Sequence, residues 1–230
     1  RKLLPSILSS GITQINILVG TIIASFQSSA VSYLYYADRV YQINLAIAGI
    51  AVGTVSLPVL SKAFKSKNLK RISNIQNKSF ELSLLLSMPA SFGLILASEQ
   101  IVNALFGYGS FSQKDVEMTA NALKYFGYGV PAFALVKILS NFFFARDNTI
   151  IPFYISMFIV ILNIFISVSL FAKIGFIIIP IATSISTWMG VFIYLYLLNL
   201  KKALLLNNQL ILNFIKILVS TILMSLALLF

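Results

Sequence analysis

Residues 150–171 read IIPFYISMFIVILNIFISVSLF, a stretch without a single charged side chain. At a helical rise of 1.5 Å per residue it extends about 33 Å, enough to cross a hydrocarbon core roughly 30 Å thick. Lys173 follows, and residues 174–200, IGFIIIPIATSISTWMGVFIYLYLLNL, repeat the pattern before Lys201 and Lys202 end it. Outward from this pair, comparable runs occupy residues 7–26, 33–60, 79–97, 116–144 and 210–230, so seven spans are expected. Lipid satisfies no backbone polar group, which leaves only helices or a closed barrel. The runs exceed the ten or so residues of a barrel strand and lack period-two alternation. The expected fold is an all-α polytopic transmembrane helix bundle, one integral-membrane domain over residues 1–230.

Composition agrees. Of 230 residues, 59% are hydrophobic and 10% charged, against roughly 45–50% and about 25% in soluble domains. The net charge of +11, from 17 Lys and Arg against 6 Asp and Glu, would suggest a nucleic-acid partner in a soluble protein. Here most of the cations fall between the apolar runs, and no nucleic-acid partner is expected. Arg1, Lys2, Lys62, Lys65, Lys67, Lys70, Arg71, Lys78, Arg146, Lys201 and Lys202 fall on one side, and Lys114 and Lys173 on the other. The alternation holds through every crossing, which predicts a cytoplasmic start and an outer end. The chain opens at Arg1 with no Met and no signal-peptide pattern, as an internal piece of a longer protein would.

The chain has no Cys and no His, which excludes disulfides, thiol nucleophiles, Cys/His zinc sites and imidazole acid/base chemistry. It also lacks a Gly-rich phosphate loop followed by Lys, paired intramembrane carboxylates, and a serine with a plausible base. Neither an enzyme nor a cofactor is expected.

Five ionisable residues fall at bilayer depth: Asp38, Arg39, Lys124, Lys137 and Lys216. Each costs at least about 2.5–3.5 kcal/mol on insertion scales, so those retained face a cavity or a partner. Arg39 and Lys124 lie on the order of 10–12 Å from the outer face and Lys137 a similar depth from the inner one. In one reading these three cations converge on a hydrated cavity for an anionic substrate, with Arg39 suited to a bidentate phosphate grip. In the other, Arg39 snorkels outward through Tyr33, Tyr35, Tyr36 and Tyr41, and the lysines pair or snorkel too. Lys216 is close enough to an end to snorkel. Asp38 and Arg39 are adjacent, about 100° apart on a helix, and cannot form a simple facing pair. Gly49, Gly53, Gly127, Gly129, Pro131 and Pro180 interrupt spans, as bends in a rocking transporter or as ordinary close-packing devices.

Two connecting segments have their own character. Residues 61–78 carry six cations and no acid, with Leu69, Ile72, Ile75 and Phe80 at helical spacing. This cytoplasmic basic loop reads either as an interfacial amphipathic helix on anionic lipid or as a solvated connector that enforces topology. Residues 98–115, with Gly107 and Gly109, have turn chemistry and no basic excess.

The stretch Ser32-Tyr33-Leu34-Tyr35-Tyr36-Ala37-Asp38-Arg39-Val40-Tyr41-Gln42 resembles the signature of the MurJ/MviN family, the lipid II flippases of the bacterial inner membrane. Three further segments agree: Gly49-Ile50-Ala51-Val52-Gly53-Thr54 leading to Leu57-Pro58-Val59-Leu60-Ser61, then Phe106-Gly107-Tyr108-Gly109-Ser110-Phe111, and Phe143-Phe144-Ala145-Arg146-Asp147-Asn148-Thr149 ending at Pro152. The resemblance implies helices seven to thirteen of a fourteen-helix fold whose N-terminal lobe is the missing partner. It implies alternating access that carries an undecaprenyl-pyrophosphate-linked disaccharide-pentapeptide to the outer leaflet, with membrane lipids around it. Asp38, Arg39, Lys124 and Lys137 are the expected substrate-binding residues, Arg39 matching the family's cavity arginine. Some members hold sodium among their seventh, eleventh and twelfth helices. Asn163 and Thr183 match that set, but Gly20 and Ser167 stand where those members have acids, so no metal is expected. The alternatives are a polysaccharide or drug exporter of the same superfamily, and a non-transporting scaffold that recruits partners through residues 61–78.

Overall fold

The computed structural model describes residues 3–229, with side chains from residue 14 to residue 228. Arg1, Lys2 and Phe230, which entered the charge pattern and the last expected span, lie outside the described residues. The helices are α1 (Leu3–Ser25), α2 (Ala30–Leu45), α3 (Val52–Lys65), α4 (Leu69–Leu96), α5 (Ser98–Phe106), α6 (Gln113–Phe144), α7 (Ile150–Ile174), α8 (Ile178–Leu200) and α9 (Asn208–Leu229). A π-helical stretch, Ala46–Ala51, joins α2 to α3 without a break. Among the described residues there is no strand.

Helical stretches long and apolar enough to span are Ala30–Lys65, Leu69–Leu96, Gln113–Phe144, Ile150–Leu200 and Asn208–Leu228, with the shorter Gln14–Ser25 inside α1. The longest of these contains a reversal. Gly175 adopts φ 76°, a left-handed value that favours glycine, and the 3-10 turn Gly175–Ile177 sends α8 back against α7. The Phe176 amide donates to Gln27 Oε1 at 2.8 Å, fixing this reversal against the turn between α1 and α2. The seven expected crossings thus correspond to α1, α2 with α3, α4, α6, α7, α8 and α9. Val55, Phe165 and Leu223 are 71%, 67% and 62% exposed. Side chains of that size on the outer faces of spanning helices meet lipid at no hydrophobic cost.

Helix α6 is the central element, with 78% of its apolar window buried against 17–33% for the other spans. It packs against α2, α4 and α8 and contributes to two core clusters. One holds Leu60, Ile72, Phe142, Phe143 and Tyr194, and the other Tyr33, Ala37, Val40, Leu123 and Phe126. Gly49 lets α6 approach the π segment, because a Cβ there would lie 3.1 Å from Ala134 Cα. Gly127 does the same against α4, where Ser91 Oγ donates to the Gly127 carbonyl at 2.7 Å. These glycines are close-approach devices, and α6 continues through Pro131 without interruption.

The stretch read from sequence as a basic loop over residues 61–78 is helical on both sides of a short turn. Helix α3 runs to Lys65, and α4 starts at Leu69 with the Asn68 side chain accepting from the Arg71 amide at 3.0 Å. Ile72 and Phe80 face the protein core and only Leu69 is exposed, so the apolar stripe serves packing within the chain. The same end holds the connector from α8 to α9. Arg146 lies over the Phe64 ring at 4.6 Å and donates to the Ala203 carbonyl at 2.6 Å; burial lowers its pKa from the ordinary arginine value. Gln76 donates to Ala203 O at 3.0 Å and accepts from the Leu205 amide at 3.1 Å. Lys62, Lys67, Lys70, Arg146 and Lys201 are thereby gathered at one basic end, while Lys114 and Lys173 belong to the opposite end.

Candidate functional site

Helix α2 carries the ionisable pair. Ala37 and Val40 are buried against neighbouring helices, and the hundred-degree step between consecutive residues then sends Asp38 and Arg39 to different environments. Arg39 is exposed, its guanidinium 4.8 Å from the centre of the Tyr35 ring one turn away. Such a stack holds the planar cation in place and leaves its in-plane N–H donors free. Among the described residues no carboxylate forms an ion pair with Arg39.

Asp38 turns inward. It is half-buried, accepts hydrogen bonds from the Tyr41 hydroxyl and the Gln42 side-chain amide, and lines a partly open pocket of about 280 Å³ between α1, α2, α6, α7 and α8. Asn16, Asn163, Ser167 and Thr183 line the same pocket. The Asn163 amide donates to Asn16 Oδ1 at 2.9 Å and to Thr183 Oγ1 at 3.3 Å, while its oxygen accepts from Ser167 Oγ at 3.2 Å. Thr183 in turn donates to the Ile179 carbonyl at 2.7 Å. This polar set satisfies itself with neutral groups, and the described residues contain no cluster of three acids. A hard cation draws its strongest ligation from carboxylates, and the Asp38 carboxylate is the acidic side chain that lines this pocket with Asn163 and Thr183 among the described residues. Asn16 was not singled out from the sequence; a lone Asn inside an apolar run is the signal that could have found it.

The three cations do not meet. Tyr41 stacks on Phe126 of α6 at 4.6 Å, which places Lys124, two positions earlier, about 200° around α6 and so on the side away from α2. Lys137 is exposed and runs past α3, its Cγ 3.5 Å from the position a Gly53 Cβ would take. Gly53 lies roughly 20 Å along the helix from Arg39. Beside it, Asn141 Nδ2 donates to the Gly53 carbonyl at 2.8 Å, a buried bond that fixes α3 on α6. Lys124 and Lys137 are also about 140° apart around α6. Within this chain, then, Arg39 presents charge on one face of α2, Lys137 at a distant level and Lys124 on another face of α6.

At the end of α2 opposite the basic end, Tyr36 packs on Phe106 of α5 at 4.9 Å and on Phe111 at 5.4 Å. With Tyr108 and Ser110 they line an open cup of about 350 Å³. Tyr33 Oη donates to Asp115 Oδ1 at 2.9 Å, and Ser112 and Asp115 form a reciprocal cap at the start of α6. These bonds tie the outer turn to α2.

Comparison with known proteins bears on the whole chain. A family model described as "Lipid II flippase MurJ" matches residues 1–230. A probable lipid II flippase MurJ of Rickettsia prowazekii (strain Madrid E) is 40% identical over 184 residues, covering 80% of this chain and 36% of the relative. One of Rhizobium meliloti (strain 1021) is 41% identical over 187 residues, covering 81% of this chain and 35% of the relative. Among solved structures, lipid II flippase MurJ in an inward closed conformation superposes with a TM-score of 0.84 at 28% identity, over 97% of this chain and 46% of that one. An outward-facing multidrug resistance MATE family transporter of the MOP superfamily gives 0.78 at 13% identity, over 98% of this chain and 51% of that one, and shares the fold alone. The chain spans about a third of the length of these curated relatives and about half of the solved transporters. With the family model matching from the first residue to the last and curated relatives about 40% identical across four fifths of it, this chain belongs to the lipid II flippase MurJ family.

Proposed function

We propose that this chain forms one lobe of a lipid II flippase and, with an N-terminal lobe, moves an undecaprenyl-pyrophosphate-linked peptidoglycan precursor from the cytoplasmic to the outer leaflet by alternating access. Family membership and the spanning helices make it a multi-pass protein of the bacterial inner membrane. In this reading the basic end lies in the cytoplasm and the Tyr36–Phe111 end outside, because Lys and Arg are retained on the cytoplasmic side.

The observation that carries the proposal is Arg39, exposed on α2, stacked on Tyr35 and in no ion pair with a carboxylate among the described residues. A cation held there is stabilised when a pyrophosphate enters, since the interaction is far stronger away from bulk water. Asp38 acts behind it, holding α2 through Tyr41 and Gln42. Lys137, exposed nearer the basic end, is a separate station that an anionic headgroup passes before Arg39. Lys124 contacts substrate only where the N-terminal lobe closes over its face of α6.

The test is complementation of flippase-depleted cells by the full-length protein at matched membrane abundance. Arg39→Ala should fail to rescue growth, and Arg39→Lys should rescue partly because charge survives without the bidentate fork. Full rescue by Arg39→Ala would remove this residue from the mechanism, and no rescue by the native protein would overturn the flippase reading.

A further inference from the structure

We infer that the cup formed by Tyr36, Phe106, Tyr108, Ser110 and Phe111 is a saccharide subsite that stacks on the sugar rings attached to the pyrophosphate. This inference rests on the proposed flippase function and adds a second contact to it.

The cup is built from three features of the chain. Helical geometry places Tyr36 one turn from Arg39, about 5 Å along the axis and about 60° around α2, where it is partly buried beside the exposed Arg39. Tyr35, which carries the Arg39 guanidinium, meets Tyr36 edge-on at 5.9 Å, so aromatic surface is continuous from the cation to the cup. The turn after α5 then presents the remaining rings. Gly109 adopts φ 68°, the Tyr108 amide donates to the Phe106 carbonyl at 2.8 Å and the Phe111 amide to the Tyr108 carbonyl at 3.4 Å. This tight turn holds Phe106 and Phe111 partly buried against Tyr36 and leaves Tyr108 71% exposed.

The lining decides the ligand class. Among the described residues no charged side chain lines the cup, which disfavours an acidic peptide or a free phosphate. A lining of mutually tilted aromatic rings together with the hydroxyl-bearing Tyr36, Tyr108 and Ser110 side chains matches a pyranose ring, whose C–H face is apolar and whose edge carries hydroxyls. Its volume of about 350 Å³ is within the range of small-molecule sites, where apolar walls are combined with a few polar groups. An acyl tail has no use for the hydroxyl rim. A neutral sugar joined directly to a pyrophosphate is the ligand for which a charge-free aromatic cup one turn from a single exposed arginine is complementary. The cup lies at the end away from the basic cluster, so the saccharide engages it late in the crossing.

The test measures binding to the full-length protein in detergent by native mass spectrometry. The two probes are the disaccharide-bearing undecaprenyl pyrophosphate and undecaprenyl pyrophosphate without sugars. Tyr108→Ala should weaken the sugar-bearing lipid at least fivefold and leave the sugar-free lipid within twofold of native. Tyr108→Trp, which keeps a stacking face, should restore the preference, and Arg39→Ala should weaken both lipids. An unchanged ratio in Tyr108→Ala, or an equal fall for both lipids as expected if the N-terminal lobe packs on the cup, would overturn the subsite while leaving the flippase reading intact. Failure of the native protein to bind either lipid would overturn the flippase reading and the subsite with it.

Discussion

Gly20 and Gly190 look alike in the sequence, each a glycine inside an apolar helix, yet their neighbours set opposite consequences for adding a methyl group. A Cβ on Gly20 would have Ile179 Cγ2 as its nearest neighbour at 3.7 Å, an ordinary contact. Gly20→Ala should therefore stabilise by about 0.5–1 kcal/mol, by reducing the freedom of the unfolded chain. A Cβ on Gly190 would lie 2.3 Å from Ile159 Cδ1 and 2.8 Å from its Cγ1, and Gly190→Ala should destabilise by about 1–3 kcal/mol through overpacking between α7 and α8. Thermal melting in detergent checks both signs at once, and equal shifts would refute the packing described. Arg39 shows what was legible at this scale. That Arg39 and the adjacent Asp38 form no facing pair followed from spacing alone. The convergence of Lys124 and Lys137 with it did not, because the rotation of α6 is set by Tyr41 stacking on Phe126 and by Gly53 against Lys137, contacts between helices that no single run of residues encodes.

Among the elements, α4 shows a pattern that the sequence held in plain view. Ser79, Ser83, Ser87 and Ser91 recur every fourth residue and all are buried, a stripe of small side chains that permits close helix approach and meets α6 at Ser91. Ser91 uses its hydroxyl on Gly127, whereas Ser83 and Ser87 have no hydrogen-bond partner among the described residues. Size is what Ser83 contributes. Ser83→Ala should change stability by no more than about 0.5 kcal/mol, because removing an unpaired buried hydroxyl relieves a desolvation penalty. Ser83→Leu should cost several times more, on the order of 1–3 kcal/mol, by forcing helices apart. Comparing the melting temperatures of these two variants separates the readings, and a large loss in Ser83→Ala would mean that the hydroxyl has a partner after all. The seven spans were legible because apolar length is a property of each run. The π stretch Ala46–Ala51 was not, since an extra residue in a turn leaves no compositional mark, and over residues 61–78 a helix was one of two readings because charge that topology alone would explain fits a solvated connector equally well.

At the scale of the whole molecule, the segregation of charge becomes a physical polarity. Arg146 bridging Phe64 and Ala203, and Gln76 holding the connector to α9, gather at one end cations that are scattered along the chain. The opposite end, held by Tyr33 on Asp115 and by Gln27 on Phe176, carries the aromatic cup. In the proposed orientation the basic end of a bundle so divided lies in the cytoplasm. The absence of native Cys from this chain makes a direct assay available in a full-length protein otherwise free of cysteine. Lys67 and Ser110 are both exposed and lie in turns at opposite ends, so Lys67→Cys and Ser110→Cys should fold normally. A membrane-impermeant maleimide applied to intact spheroplasts should label Ser110→Cys, and should label Lys67→Cys only after the membrane is opened. The reverse pattern would invert the orientation and place the Tyr36–Phe111 cup on the side where the substrate enters. Labelling of both positions in sealed cells would mean that the two turns are not separated by the membrane, which would break the seven-span topology on which the transport reading depends.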